Sequence, residues 1–146
     1  MRPSVARAIA GGFVGTVLLT LMMRFVAPMM TGQRMDIAAK LGDMMGASSA
    51  MGLVMHLLNG SVIFALIYVY ILYRFLPGAP WLKGVLSGVV LWLGLEIVMM
   101  PMMGGGVFSS QMGGMKMVVA AMIGHLVYGA TLGGIAGASA ESRPRQ

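Results

Sequence analysis

The sequence predicts an all-α membrane protein with four transmembrane helices, laid out as two tandem helical hairpins. Two observations carry this. The chain is 58% hydrophobic and only 10% charged, where a soluble domain carries about 25% charged residues. With so few polar side chains it cannot cover a water-facing surface, so the bilayer must be its main solvent. It also repeats itself. Residues 11–32 (GGFVGTVLLTLMMRFVAPMMTG) line up with residues 84–105 (GVLSGVVLWLGLEIVMMPMMGG), and HLLNG at 56–60 lines up with HLVYG at 125–129. Each unit is an apolar run, a polar stretch, and a second apolar run opening on a histidine.

The first span is expected over residues 8–28. Its arginine-flanked start resembles a signal peptide, but the run is long and no A-x-A cleavage pattern follows, so it reads as retained. In the connection that follows, Ile37, Leu41, Met44 and Met45 fall at helical spacing, with Asp36 and Lys40 paired four apart on the polar side. That predicts a short amphipathic helix lying on the outer surface. The second span is expected over 51–73 and the third over 83–103. The glycine-rich stretch GGGVFSSQMGG then reads as an irregular, mobile loop. The fourth span is expected over 117–138. At about 1.5 Å rise per residue each run covers a hydrocarbon core of about 30 Å. Residues 1–146 form a single integral membrane domain, with repeat units at about 8–73 and 83–138.

The charge distribution sets the expected orientation. The net charge is +6, yet six of the ten basic residues (Arg2, Arg7, Arg74, Lys83, Arg143, Arg145) flank the apolar runs on one side. This is the positive-inside pattern rather than a nucleic-acid surface, and it puts both termini in the cytoplasm. Tyr68, Tyr70, Tyr73 and Trp81 fall at the same interface, as an aromatic belt would. Because both hairpins share one topology, a pseudo-two-fold axis along the membrane normal should relate them, and equivalent residues should sit at equal depth. Gly11 and Gly15, Gly84 and Gly88, and Gly129, Gly133 and Gly137 are spaced four apart and suit close helix packing. That packing is expected within the bundle, with homodimerisation through the fourth helix as the alternative.

Few residues can carry chemistry. Arg24 and Glu96 are the charges deep within a span, each costing about 2.5–3.5 kcal/mol on insertion scales. With Pro28 set opposite Pro101 they lie at nearly one depth, which predicts an interhelical ion pair. His56 and His125 are equivalents, each with a glycine four residues on. Facing each other across the axis, they could share a metal or clasp a haem iron, or simply bond a neighbouring helix. Methionine is the unusual residue. Eighteen are present, and all but the first lie within 22–55 and 99–122, the outer halves of the runs and the outer loops. Thioethers are soft, uncharged ligands that suit Cu(I). The pairs Met29–Met30 and Met102–Met103 place sulfurs beside the two histidines, so His56, His125, Met29, Met30, Met102 and Met103 form the candidate metal set.

Cysteine is absent, which excludes disulfides, thiolate metal sites and a cysteine nucleophile. Neither phosphate-binding loops nor nucleophile-elbow, zinc-protease or dinucleotide motifs occur, and with four acidic residues an enzyme is not expected. The pattern G-x-x-x-T…P followed by H-x-x-x-G resembles small uncharacterised bacterial families of multi-pass membrane proteins with a repeated His/Gly hairpin. The resemblance implies the four-span fold and the bacterial inner membrane, and brings no chemistry. The leading expectation is a small accessory membrane protein whose Met/His-rich outer face binds, or helps to move, a soft metal such as Cu(I). Two alternatives stay open: a structural subunit or assembly factor of a larger membrane complex, and a bis-His haem-binding protein.

Overall fold

Proline and glycine decide where the helices of this chain bend and stop. The computed structural model describes residues 3–34 and 36–137. Four helices in it are long and apolar enough to cross a membrane: α1 (Val5–Thr31), α3 (Ser49–Phe75), α4 (Pro80–Met102) and α5 (Gly114–Ala136). A fifth, short helix, α2 (Ile37–Met44), lies in the first long connection. Ser4 and Ser48 cap α1 and α3 by accepting from the backbone N–H of Arg7 and Met51. Pro80 opens α4, where its missing N–H is no loss. The spans start two to three residues earlier than the hydropathy pattern suggested, because these caps lie outside the apolar runs. Arg2, Arg143, Arg145 and the expected end of the fourth span at residue 138 lie outside the described residues.

α1 and α4 each widen into a π-helical turn, at Met22–Val26 and Leu95–Met99. The cause is the proline that follows. The rings of Pro28 and Pro101 would run into the carbonyls of Arg24 and Ile97, and neither proline can donate a hydrogen bond. The ladder therefore slips by one residue: the Ala27 N–H donates to the Met22 carbonyl, and the Met100 N–H to the Leu95 carbonyl. The two turns lie 73 residues apart, the spacing at which the segments align. α3 has π turns at Asn59–Ile63 and Tyr68–Leu72 with no proline to cause them. At the first, the Phe64 N–H donates to the Asn59 carbonyl, and the Gly60 carbonyl accepts the Tyr128 hydroxyl at 2.6 Å.

The described ends of the chain and the 76–79 connection share one end of the bundle, the terminal end. The 32–48 and 103–113 connections occupy the far end. α5 is the most buried span and packs against both α1 and α4, while α1 also packs against α3. Glycine makes each crossing possible. Gly11 and Gly15 of α1 lie on Leu132 and Tyr128 of α5, and Gly12 lies on Gly60 and Ser61 of α3. Gly84 and Gly88 of α4 lie on the backbone of His125, Gly129 and Gly133. In lipid such contacts are held by van der Waals packing rather than by hydrophobic exclusion. Gly137 stands past the end of α5, against the Arg7 side chain.

α3 and α4 meet only near the terminal end. There Tyr68 donates to the Pro80 carbonyl at 3.0 Å, and Lys83 donates to the Tyr73 carbonyl at 2.7 Å. Tyr68 and Tyr73 are thus buried in the core, edge to face with centroids 5.6 Å apart. Only Tyr70 and Trp81 of the expected aromatic belt face outward. Towards the far end α3 and α4 diverge, and the gap between them is roofed by α2. This helix does not lie free on the surface. Asp36 caps it by accepting from the Ala39 N–H at 3.0 Å, and Gly42 and Gly52 bring its backbone directly onto the start of α3.

Candidate functional site

The gap opens into a cavity of about 140 Å³ in the far half of the bundle. Thr16, Leu19 and Met23 of α1 line it, with His56, Asn59, Gly60 and Phe64 of α3, Leu91, Leu95 and Met99 of α4, and Ala121, His125 and Tyr128 of α5. Ile37 and Leu41 of α2 form its roof. The two histidines therefore line one space. The H-x-x-x-G spacing explains how. Gly60 and Gly129 are the points where α3 crosses α1 and α5 crosses α4. From each crossing the helices splay towards the far end, and one turn on, the imidazole stands in the space that opens. The glycine does not leave room beneath the ring. A neighbouring helix fills that room: Gly84 backbone at Gly129, and Thr16 at Gly60.

Hydrogen bonds fix both rings. His125 Nδ1 lies 2.8 Å from the Ala121 carbonyl. A carbonyl only accepts, so Nδ1 carries the hydrogen and Nε2 keeps the lone pair of the neutral ring. His56 Nε2 lies 3.1 Å from Thr20 Oγ1. The Thr20 hydroxyl already donates to the Thr16 carbonyl at 2.7 Å, so it accepts from His56 Nε2–H, and Nδ1 keeps the lone pair. Each imidazole thus holds one N–H in a helix-borne bond and has one lone pair left. Metal-ligating histidines show the same arrangement, the second nitrogen being anchored to an oxygen. Tyr128 closes the floor by donating to the Gly60 carbonyl. Interhelical hydrogen bonds in membranes contribute about 0.6 kcal/mol each, so they orient the lining more than they stabilise the bundle.

The methionines that reach the cavity are Met23 and Met99, not the expected pairs. Met29 and Met102 are 86% and 63% exposed, and Met30 and Met103 do not line the cavity either. The reason is phase: Met23 and Met99 stand on the cavity side of their helices, and Met29 and Met102 on the outward side. Among the described residues no three His, Cys, Asp or Glu side chains converge on a metal position. The volume is close to that of cavities that hold a benzene-sized molecule, and it does not admit a porphyrin.

The expected ion pair is not formed. Glu96 is fully buried, and its Oε2 accepts from Ser109 Oγ at 2.9 Å. Its Oε1 has no partner, and Arg24 is exposed. The alignment placed the two residues at similar depth but said nothing of azimuth. The loop that supplies Ser109 is irregular, as its glycine content suggested, with a single short helical turn at Val107–Ser109. Phe108 and Ser109 both adopt left-handed backbone, with φ of 49° and 51°, which costs about 1–3 kcal/mol per residue. Phe108 packs on Trp92 with centroids 6.2 Å apart, and Trp92 Nε1 donates to the Val118 carbonyl at 3.1 Å.

Thr16, Thr20, Asn59 and Tyr128 were not singled out from sequence. Asn59 and Tyr128 had a visible signal, since each stands three residues after its histidine and so on the same helix face. Thr20 had none, and Met23 and Met99 belong to the visible methionine clusters Met22–Met23 and Met99–Met103 but not to the pairs expected as ligands.

These features define a small integral membrane protein of four spans with a largely apolar cavity between them, into which a few polar side chains, the two histidines among them, are set. Over residues 2–146 the chain matches the model of a family of unknown function, DUF6789, and it belongs to that family. No curated protein matches it, and no solved structure does.

Proposed function

We propose that this protein is a membrane-embedded binder of a soft monovalent metal, Cu(I), and not an enzyme. The observation that carries the reading is that His56 and His125 line one cavity together with one thioether from α1 and one from α4. Two imidazoles and two thioethers, from His56, His125, Met23 and Met99, make a neutral N₂S₂ donor set, which favours Cu(I) over the harder divalent ions. With no carboxylate or thiolate lining the cavity, a divalent ion there would keep its full charge in an apolar surrounding. Each hairpin supplies one histidine and one methionine, of which the histidines alone are equivalent positions of the repeat.

The test is a Cu(I) titration of the purified full-length chain in detergent, against a chromophoric Cu(I) chelator under reducing conditions. One equivalent should bind. His56→Leu and His125→Leu should each weaken binding by at least the roughly 10–100-fold that follows loss of a ligand's hydrogen-bond partner. Met23→Leu and Met99→Leu should weaken it less, and Met29→Leu and Met102→Leu not at all. A parent chain that binds no copper would leave the structural-subunit reading, with the gap between α3 and α4 as the contact face.

We also propose that the far end faces the periplasm. Arg7, Arg74 and Lys83 all stand at the terminal end, as the positive-inside rule requires for a cytoplasmic face. Reporter fusions at both termini should read cytoplasmic; a periplasmic signal from both would reverse the assignment, and from one alone would sink the four-span topology.

A further inference from the structure

We propose that Glu96 is a proton-binding carboxyl that latches the 103–113 loop over the far end of α4. The side chain is fully buried within a span. Ser109 supplies its one hydrogen bond, and the second oxygen is enclosed without a partner. Among the described residues nothing cationic faces it. The elements packed against this turn are the rest of α4 and the loop turn Val107–Ser109. In α4 the only other charged side chain is Lys83, held by Tyr73 at the terminal end. The 103–113 loop has no Asp, Glu, Lys, Arg or His. Of the groups on neighbouring spans, Arg24 and Lys116 are exposed, and His125 is bonded to its own helix in the cavity.

An ionised carboxylate in this position would be a buried charge with one hydrogen bond, an arrangement apolar surroundings strongly disfavour. An uncharged carboxyl is compatible with it. The closed loop therefore belongs to the protonated form. On loss of the proton the carboxylate must gain water, and the cover available to move is the loop that Ser109 pins down. The two left-handed residues at 108 and 109 show that the loop is bent against its own preference to make this contact. The closed state binds the proton more tightly than the open one, so raising the pH must favour opening.

The carboxyl is tested on the native chain in detergent with dicyclohexylcarbodiimide. This reagent takes the proton of an uncharged carboxyl onto its nitrogen, and the carboxyl oxygen adds to its central carbon. Rearrangement then leaves a stable adduct carrying the whole reagent. Peptide mass spectrometry should find the adduct on Glu96 and not on the exposed Asp36 or Asp43, and its yield should fall as pH rises. Amide exchange across 103–113, corrected for the intrinsic pH effect, should rise several-fold over the same range. In Glu96→Gln the loop should stay protected at every pH, and in Ser109→Ala it should exchange faster than in the parent. An adduct yield on Glu96 that rises with pH would overturn the proposal. So would a loop whose corrected exchange follows the same pH profile in the parent and in Glu96→Gln. Neither readout involves copper, so the result stands apart from the metal reading.

Discussion

Gly129→Leu is expected to abolish the four-helix bundle. A Cβ at Gly129 would fall inside contact distance of the Gly84 carbonyl oxygen, and within 2.9 Å of its carbon and 3.0 Å of the Gly88 nitrogen. All three atoms are backbone, so no side chain can turn aside. Overpacking a core usually costs about 1–3 kcal/mol, and this contact should reach or exceed the top of that range, because relief requires two helices to part. The measurement is reversible unfolding in mixed micelles with increasing SDS. The transition should move to much lower SDS or vanish. Gly94→Leu is the control: a Cβ there meets nothing within 4 Å, and replacing an open helical glycine should leave stability unchanged or raise it by up to about 1 kcal/mol. Equal behaviour of the two variants would show that α4 and α5 do not cross at Gly84 and Gly129.

The second large effect is expected at the roof of the cavity. At Gly52 a Cβ would strike the Ala38 carbonyl oxygen and approach the Gly42 nitrogen to 2.6 Å. Gly52→Leu should therefore lift α2 from α3 and take Ile37 and Leu41 out of the cavity, while the four spans stay folded. The cysteine-free chain makes this easy to read. In a Leu41→Cys background the single thiol should react slowly with a water-soluble maleimide, and the added Gly52→Leu should speed it at least tenfold. An unchanged rate would mean that α2 is not seated by this glycine contact.

The four spans and the pairing of the two histidines in one space were legible in the sequence because each rests on a one-dimensional property: run length, or spacing along a repeat. The rest of the cavity lining was not, because it depends on helix phase and on neighbours. Met23 aligns with Glu96, yet Met23 faces the cavity and Glu96 faces the 103–113 loop. α1 is wedged between α5 and α3 by Gly11, Gly12 and Gly15, whereas α4 has one tight neighbour. Equivalent segments are thus rotated differently about their own axes. Ser109 was out of reach for another reason. It meets Glu96 only because two non-glycine residues take left-handed backbone, which local propensity argues against.

The central position of α5 bears on how the protein is made. It is made after α1, α3 and α4, and it is the element on which both α1 and α4 pack. Until it enters the bilayer, α1 and α3 can meet at Gly12 and Gly60, but α4 lacks its main partner and touches α3 only beside their short connection. The bond from Arg7 to the Ile135 carbonyl, across 128 residues, closes only then. Docking of α5 on α1 thus joins elements distant in sequence, the slow kind of contact, whereas α4 and α5 are neighbours along the chain. During synthesis α4 waits in lipid with its glycine face bare until α5 has been made.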